Sequence, residues 1–188
     1  MLYITIPSNN EIFDEATSKF ITIPETKLQL EHSLVSVSKW EAKWHKIFLD
    51  SDNQKTDEET LDYIRCMTLT QNVDPKVYYG IRKDQILEIK KYIDNPMTAT
   101  TFNEENVKRI FAKASKSNEK TSSETLYYEM IALNIPFECQ KWHLNRLITL
   151  IKICTIKNQP PKKMSKSELA SKYRDVNAAR RAAAKANK

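Results

Sequence analysis

Residues 127–158, which read YYEMIALNIPFECQKWHLNRLITLIKICTIKN, carry the strongest helical pattern of the chain. Apolar side chains recur at helical spacing on both sides of Pro136, so the pattern predicts two amphipathic helices joined at this proline. The second helix carries apolar side chains around most of its circumference, which is typical of a central core helix. Two of the three cysteines lie in this stretch, but they form no known catalytic signature. We therefore interpret residues 127–158 as scaffold.

The composition favours one largely helical domain. The chain has 188 residues, of which 40% are hydrophobic, and this is enough for one core. Its single glycine, Gly80, excludes nucleotide enzymes that need glycine-rich phosphate loops and disfavours turn-rich β-sandwiches. The sequence shows neither the long apolar run of a membrane span nor the features of a signal peptide. A soluble intracellular protein is expected.

The spacing of apolar residues predicts the order of the elements. Alternation within residues 1–30 predicts two or three short strands in a small hairpin or meander. From Leu34 the period becomes helical, which predicts a helix running to about Leu49 with Trp40 and Trp44 facing inward. The predicted fold class is therefore mainly α with a small N-terminal β element, an α+β protein with a helical core and a basic helical tail.

Capping signals predict where further helices start. Thr56 with Glu59, and Thr121 with Glu124, each have the spacing of a capping box, in which the two side chains bond to each other's backbone amides. Apolar periodicity predicts two more helices, over residues 84–93 and 103–113, and Ser165 with Glu168 begins the last one.

Charge divides the chain into a body and a tail. Residues 161–188 hold nine Lys or Arg and two acidic residues, a formal charge of +7, whereas the rest of the chain holds 21 basic and 22 acidic side chains. A near-neutral body therefore ends in a cationic arm. We predict a single domain over residues 1–160, with strands over 1–30 and a helical core over 31–160. The tail is expected to stay frayed until it meets a partner.

No catalytic or metal site is predicted. Cys139 and His143 are four residues apart and would share a helix face, but a zinc site needs about four ligands and a cysteine nucleophile also needs an orienting group. We expect buried, reduced cysteines, no cofactor and no enzymatic activity. Arg146 lies on the mostly apolar helix after Pro136, so a buried ion pair with a carboxylate, or an interface, is expected there.

The tail is the strongest candidate for direct interaction. Its helix carries cations and a tyrosine, at Lys172, Tyr173, Arg174, Arg180 and Arg181. These cations would attract the phosphates of nucleic acid, or dock on an acidic protein surface, or remain solvated. A protein partner or a solvated helix is favoured over nucleic acid.

Four stretches carry a resemblance to a known family. They are LEHSLVSVSKWEAKWHKIFL at residues 30–49, ETLDYIRCMTL at 59–69, YIDNPMTATTF at 92–102 and IPFECQKWHLNRLITLIKICTIKN at 135–158. They resemble small proteins encoded among the tail genes of long-tailed bacteriophages, whose members are taken to be tail assembly chaperones. The similarity covers most of residues 30–165.

The resemblance implies a nonenzymatic factor that holds the tape-measure protein soluble and helps recruit tail-tube subunits around it in the host cytoplasm. It supplies no catalytic residues. Such a chaperone needs an apolar groove for a helical client, and the candidate partner-binding residues of the body are Tyr127, Tyr128, Trp142, Arg146 and Leu147. A homo-oligomer is compatible with the sequence, and no membrane partner is expected.

Two other hypotheses stay open. A structural virion component, such as a connector or baseplate piece of the tail, would remain in finished particles with its basic tail held by a neighbouring subunit. A nucleic-acid-binding accessory protein would instead use residues 172–188. The hypotheses differ in whether the chain is present in virions and in whether it binds nucleic acid with a steep dependence on salt.

Overall fold

The computed structural model describes residues 1–8, 11–14, 18–50, 52, 54–102, 120–158 and 166–186. The fold is mostly helical with a small antiparallel β element near the N terminus, so the predicted α+β class is confirmed. The chain divides into two units, Met1–Lys157 and Asn158–Lys188. The first unit holds the hydrophobic core, and the second holds the basic helix.

Two nested antiparallel pairs form the β element in the described part of residues 1–30. The strands are β1 (Leu2–Ile6), β2 (Glu11–Asp14), β3 (Lys19–Thr22) and β4 (Thr26–Leu30). Strand β1 pairs with β4, and β2 pairs with β3. The inner pair is a hairpin, one of the two predicted arrangements, but the described residues form four strands rather than two or three, and the strands form no meander. Alternation along the outer pair buries one face, because side chains two apart point to the same side of a strand. The buried residues are Ile4, Ile6, Leu28 and Leu30.

Helix α1 (Leu34–Trp44) begins at a reciprocal cap and ends at a left-handed residue. Ser36 Oγ accepts the Ser33 amide at 2.8 Å, and Ser33 Oγ accepts the Ser36 amide at 3.3 Å. His45 follows the helix with a φ of 53°. The predicted extension to Leu49 is wrong because this left-handed residue turns the chain out of the helix. Phe48 is nevertheless buried, since the loop returns it to the core.

Helix α2 (Asp57–Met67) begins at the predicted capping box. Glu59 Oε2 accepts the Thr56 amide at 2.8 Å, and Thr56 Oγ1 accepts the Glu59 amide at 3.2 Å. The two tryptophans of α1 join the helices through their indole N–H groups. Trp40 donates to the Glu59 carbonyl at 2.9 Å, and Trp44 donates to Asp62 Oδ2 at 2.8 Å. Trp40 is fully buried, whereas Trp44 is half-buried.

Six further helices complete the described chain. They are a 3-10 helix (Pro75–Gly80), α3 (Lys83–Ile93), α4 (Ser123–Ala132), a second 3-10 helix (Phe137–Lys141), α5 (Leu144–Lys157) and α6 (Lys166–Ala186). The helix predicted over residues 103–113 and the cap predicted at Ser165 lie outside the described residues. Among the described helices, none has both the length and the apolar character needed to cross a membrane.

The chain after Pro136 does not form the single continuous helix predicted from its pattern. A 3-10 helix ends at Lys141, and α5 starts only at Leu144. Between them His143 forms a β-bridge with Ser33, and the Leu144 amide donates to the His32 carbonyl at 2.7 Å. A backbone that pairs with another segment cannot also form helical hydrogen bonds, so this tertiary contact overrides the local periodicity.

The start of α4 also differs from its prediction. Ser122, and not Thr121, is the N-cap residue, and its hydroxyl accepts the Thr125 amide at 3.4 Å. Glu124 lies in the first turn, where the helix dipole favours a negative charge. The capping box predicted at Thr121 and Glu124 is therefore wrong, because the N-cap lies one residue later in the chain.

A buried carboxylate, that of Glu41 on α1, holds α4 and the loop after α1 in place. Its Oε1 accepts the Phe48 amide at 2.8 Å, and its Oε2 accepts the Ser123 amide at 2.8 Å. Glu41 and Ser123 are both buried. The Ser123 amide is one of the groups at a helix N terminus that have no partner within the helix. Glu41 therefore acts as a cap supplied from a distant part of the sequence.

We expect Glu41→Ala to lower the free energy of unfolding by about 2–6 kcal/mol, because two buried amides lose their acceptor at about 1–3 kcal/mol each. Glu41→Gln should fall between this variant and the wild type, since the amide keeps one accepting oxygen. Urea unfolding measures both effects. Glu88→Gln, at an exposed position of α3, is the matched control and should change stability by less than about 0.5 kcal/mol. Equal stability of Glu41→Ala and the control would contradict this role.

Candidate partner-binding surfaces

The Cys139 and His143 pair does not form the shared helix face suggested by its spacing. Cys139 lies in a 3-10 helix and His143 in the β-bridge that follows it. Burial raises the pKa of the Cys139 thiol, and burial raises that of Cys66 to about 11. Protonated thiols are poor nucleophiles and poor metal ligands. Within the described ranges, no group of three or more His, Cys, Asp or Glu side chains could hold a metal ion.

His143 instead packs against His32 in a buried cluster. Their ring centroids are 5.1 Å apart. His32 Nδ1 is hydrogen-bonded to the Tyr63 hydroxyl, and His143 Nε2 donates to the Tyr92 carbonyl at 3.1 Å. Burial lowers the pKa of His32 to about 3, and so does the repulsion that a protonated His143 would exert on it. Burial also lowers the pKa of His143. Both rings are therefore neutral at pH 7, and this cluster is a packing element of the core.

Helix α4 and the 3-10 helix after it expose a group of large apolar side chains among acidic ones. We call this group the acidic aromatic surface, and it consists of Glu124, Tyr127, Tyr128, Ile131 and Phe137. The exposed fractions are 70% for Tyr128, 60% for Ile131 and 52% for Phe137. The rings of Tyr127 and Phe137 lie 6.5 Å apart. Exposed apolar groups gathered in one patch are typical of protein interaction sites.

The local sequence makes this surface acidic. Residues 121–140 contain no Lys or Arg, in a chain that has 30 basic residues, and of their three glutamates Glu124 belongs to this surface, whereas Glu129 lines a groove described below. Tyr127 is half-buried, and its hydroxyl donates to Gln140 Oε1 at 2.9 Å, which ties α4 to the following 3-10 helix. The sequence singled out Tyr127 and Tyr128 but missed Ile131 and Phe137. The sequence feature that could have indicated Ile131 is that α4 has apolar residues on both its faces, so that one face must stay exposed.

The other predicted residues of the body lie in different environments. Arg146 is exposed and stacks on the half-buried Trp142, with its guanidinium carbon 4.2 Å from the ring centroid. The expectation of a buried ion pair is therefore wrong, because a cation over an indole face can remain in water. Leu147 is fully buried in the core, so its predicted place in a groove is also wrong.

A groove of about 400 Å³ lies between α4, α5 and the loop after α1. Its lining is mainly apolar and comprises Ile47, Leu49, Leu126, Ile148 and Ile151. An ion pair between Asp50 and Lys120, 2.6 Å apart, lies in the same lining. None of these residues was singled out from the sequence as a site. Ile47 and Leu49, in the loop after α1, could not have been identified from the sequence, since the apolar pattern placed them in a continuous helix.

Glu129 of α4 adds a carboxylate to the lining of this groove. It is half-buried, and burial raises its pKa. Its side chain has no hydrogen bond or ion pair to a residue that the structure describes. Lys152 also lines the groove, but no ion pair joins it to Glu129. A partly desolvated carboxylate gains stability when an opposite charge approaches, so Glu129 is the candidate partner for a cationic group of a ligand, although the charges of Asp50, Lys120, Glu129 and Lys152 in the lining cancel.

Helix α6 exposes the predicted interaction residues that lie between positions 172 and 181. Lys172, Tyr173, Arg174, Arg180 and Arg181 are all exposed. Val176 accompanies them with an exposed fraction of 39%, and that of Tyr173 is 61%. The helix therefore presents apolar side chains within a cationic surface.

The two buried histidines make stability depend on pH. Because their pKa values are lower in the folded state than in an unfolded chain, unfolding takes up protons as the pH falls below about 6.5. We expect full stability above this pH and a loss below it, at about 1.4 kcal/mol per pH unit for His32 as long as its ring stays neutral in the folded state, with a further contribution from His143. Urea unfolding between pH 7.5 and 4.5 measures the slope.

Two variants separate this effect from the titration of carboxylates. His143→Gln keeps an N–H donor for the Tyr92 carbonyl and should reduce the slope. His45→Asn replaces an exposed histidine by a residue that tolerates the left-handed conformation, and it should leave the slope unchanged. The same slope in all three proteins would mean that the histidine cluster does not control stability.

Comparison of the chain with protein-family models, with curated proteins and with solved structures finds no match.

Proposed function

We propose that this protein is a tail assembly chaperone of a long-tailed bacteriophage, a nonenzymatic factor that binds the tape-measure and tail-tube proteins in the host cytoplasm. The family resemblance of residues 30–165 supports the proposal. The observation that carries it is the apolar groove containing Glu129, which fits a helical protein segment. A virion component would need stable interfaces, whereas a chaperone must release its client.

The client in this proposal is an amphipathic helix. Leu49 and Ile148 remain partly exposed at the groove, so a helix that covers them removes apolar surface from water. Each Å² of apolar surface buried contributes about 25 cal/mol. A groove of about 400 Å³ accepts only a few side chains. Binding at this site is therefore weak and reversible, which suits a factor that hands its client to the growing tail.

Glu129 gives the site a preference among apolar helices. A Lys or Arg one turn from the client's apolar residues would reach the carboxylate and relieve its partial desolvation. A purely apolar helix would bury the carboxylate further without compensation. The proposed client segment is thus apolar on one face, with a basic residue beside that face.

Affinity capture from phage-infected cells, at moderate salt and with nuclease, tests the assignment. We expect mass spectrometry to recover tape-measure or tail-tube protein with the tagged chain, and the chain to be absent from purified virions. A fixed copy number in virions would overturn the proposal in favour of a structural component. Recovery of neither tail protein would also overturn it, and salt-dependent binding of nucleic acid through α6 would then be the alternative, since its cations are exposed.

We expect Glu129→Lys to reduce the captured tail protein about tenfold, which corresponds to about 1.4 kcal/mol of binding free energy. The variant places a second positive charge where the client's basic residue would lie. Glu88→Lys makes the same charge change at an exposed position of α3 and should leave capture unchanged. Circular dichroism of both variants checks the fold. Equal capture by both would show that the client does not occupy this groove.

A further inference from the structure

The outer face of α4 carries a regular row of exposed side chains. Glu124, Tyr128 and Ile131 recur at positions i, i+4 and i+7, so they lie on one face of the helix. All three are exposed. The row extends from a carboxylate to two large apolar groups over two helical turns, or about 10 Å.

Helix α6 carries a second row with the opposite charge. Tyr173, Val176 and Arg180 recur at positions i, i+3 and i+7, and all three are exposed. This row also covers about 10 Å, with two apolar groups at one end and a cation at the other. Arg180 can lay its aliphatic stem along apolar surface while its guanidinium reaches outward.

We propose that α6 of one copy of this chain binds the acidic aromatic surface of a second copy, with α6 antiparallel to α4. The two rows have the same length, so the antiparallel arrangement aligns them along their whole extent. Arg180 then faces Glu124, Val176 faces Tyr128, and Tyr173 faces Ile131. Residues at these spacings form the contact seam between packed helices.

Charge complementarity argues for a second copy as the occupant. Residues 121–140 carry no basic residue, and Glu124 lies in the exposed row of α4, whereas residues 161–188 carry a formal charge of +7. An acidic apolar surface thus occurs in the same chain as a basic helix with a matching apolar row. The charges also set the direction, because a parallel arrangement would place Arg180 beside Ile131 and Tyr173 beside Glu124.

The proposed contact joins two different patches, so it is heterologous. After two copies have paired, one of them still has a free acidic aromatic surface and the other still has a free α6. Association therefore continues until a ring closes or a filament grows. The inference concerns this chain alone and does not rest on the proposed chaperone function. Its failure in purified protein would leave the capture of tail proteins from infected cells unaffected.

Sedimentation velocity of the purified full-length chain over a range of concentrations tests the proposal. We expect association that grows with concentration and weakens with added salt, because charge pairs near a surface are screened. A chain that stays monomeric at all concentrations would overturn the proposal. Two variants remove one side each: Tyr128→Ser with Ile131→Ser on the surface, and Tyr173→Ser with Val176→Ser on α6.

Each variant alone should associate at least tenfold more weakly than the wild type. An equimolar mixture should form heterodimers and stop there, because it combines one intact surface with one intact α6. All four positions are exposed, so the variants should keep the wild-type circular dichroism spectrum. Undiminished association of either variant would place the interface elsewhere, and failure of the mixture to pair would exclude a heterologous contact.

Charge exchange tests the register. Glu124→Lys and Arg180→Glu should each weaken association, because each places two like charges opposite one another across the contact. The double variant should restore association, since the two exchanged charges are again opposite in sign. Glu88→Lys is the control for an added positive charge outside the interface. No recovery in the double variant would overturn the proposed alignment of Glu124 with Arg180.

Discussion

The Glu41 carboxylate is the interaction on which the architecture of the helical body depends. One oxygen holds the Phe48 amide in the loop after α1, and the other holds the Ser123 amide at the start of α4. Both segments line the groove, because Ile47 and Leu49 flank Phe48 while Leu126 and Glu129 follow Ser123 on α4. A single buried side chain therefore fixes the spacing of the proposed client site, although it does not line that site. Such a buried charge is tolerated since both oxygens accept hydrogen bonds.

Burial distinguishes the acids that hold the fold together from those that remain at the surface. Glu41, Glu59 and Asp62 are buried and accept hydrogen bonds from backbone amides or tryptophan N–H groups. Glu124 and Glu129 lie instead on exposed or half-buried parts of α4. The three buried carboxylates accept hydrogen bonds that hold segments of the body together. The two carboxylates on α4 lie instead at surfaces with apolar neighbours. This contrast is the physical basis for assigning partners to α4 rather than to α1 or α2.

Interactions between residues close in the sequence could be predicted, whereas contacts between distant segments could not. The Thr56 and Glu59 box depends on residues three apart, and it forms as predicted. The helix predicted to start at Pro136 is interrupted because His143 pairs with Ser33, a contact across more than a hundred residues. The same contact explains why Cys139 and His143 share no helix face. For the site, the exposed Tyr128 and the tail cations were identified, but the groove depends on Glu41 and could not be found from periodicity.

Helix α4 carries both proposed binding sites on opposite sides. With about 100° between successive residues, the row of Glu124, Tyr128 and Ile131 lies roughly half a turn from Leu126 and Glu129 in the groove. Glu41 fixes the start of the helix, and the Ile135 amide, which donates to the Met130 carbonyl at 2.8 Å, fixes its end. A helix held at both ends transmits little movement from one side to the other. Self-association through the outer side should therefore leave the groove open to a client, so an assembled set of copies could present several grooves along one extended partner.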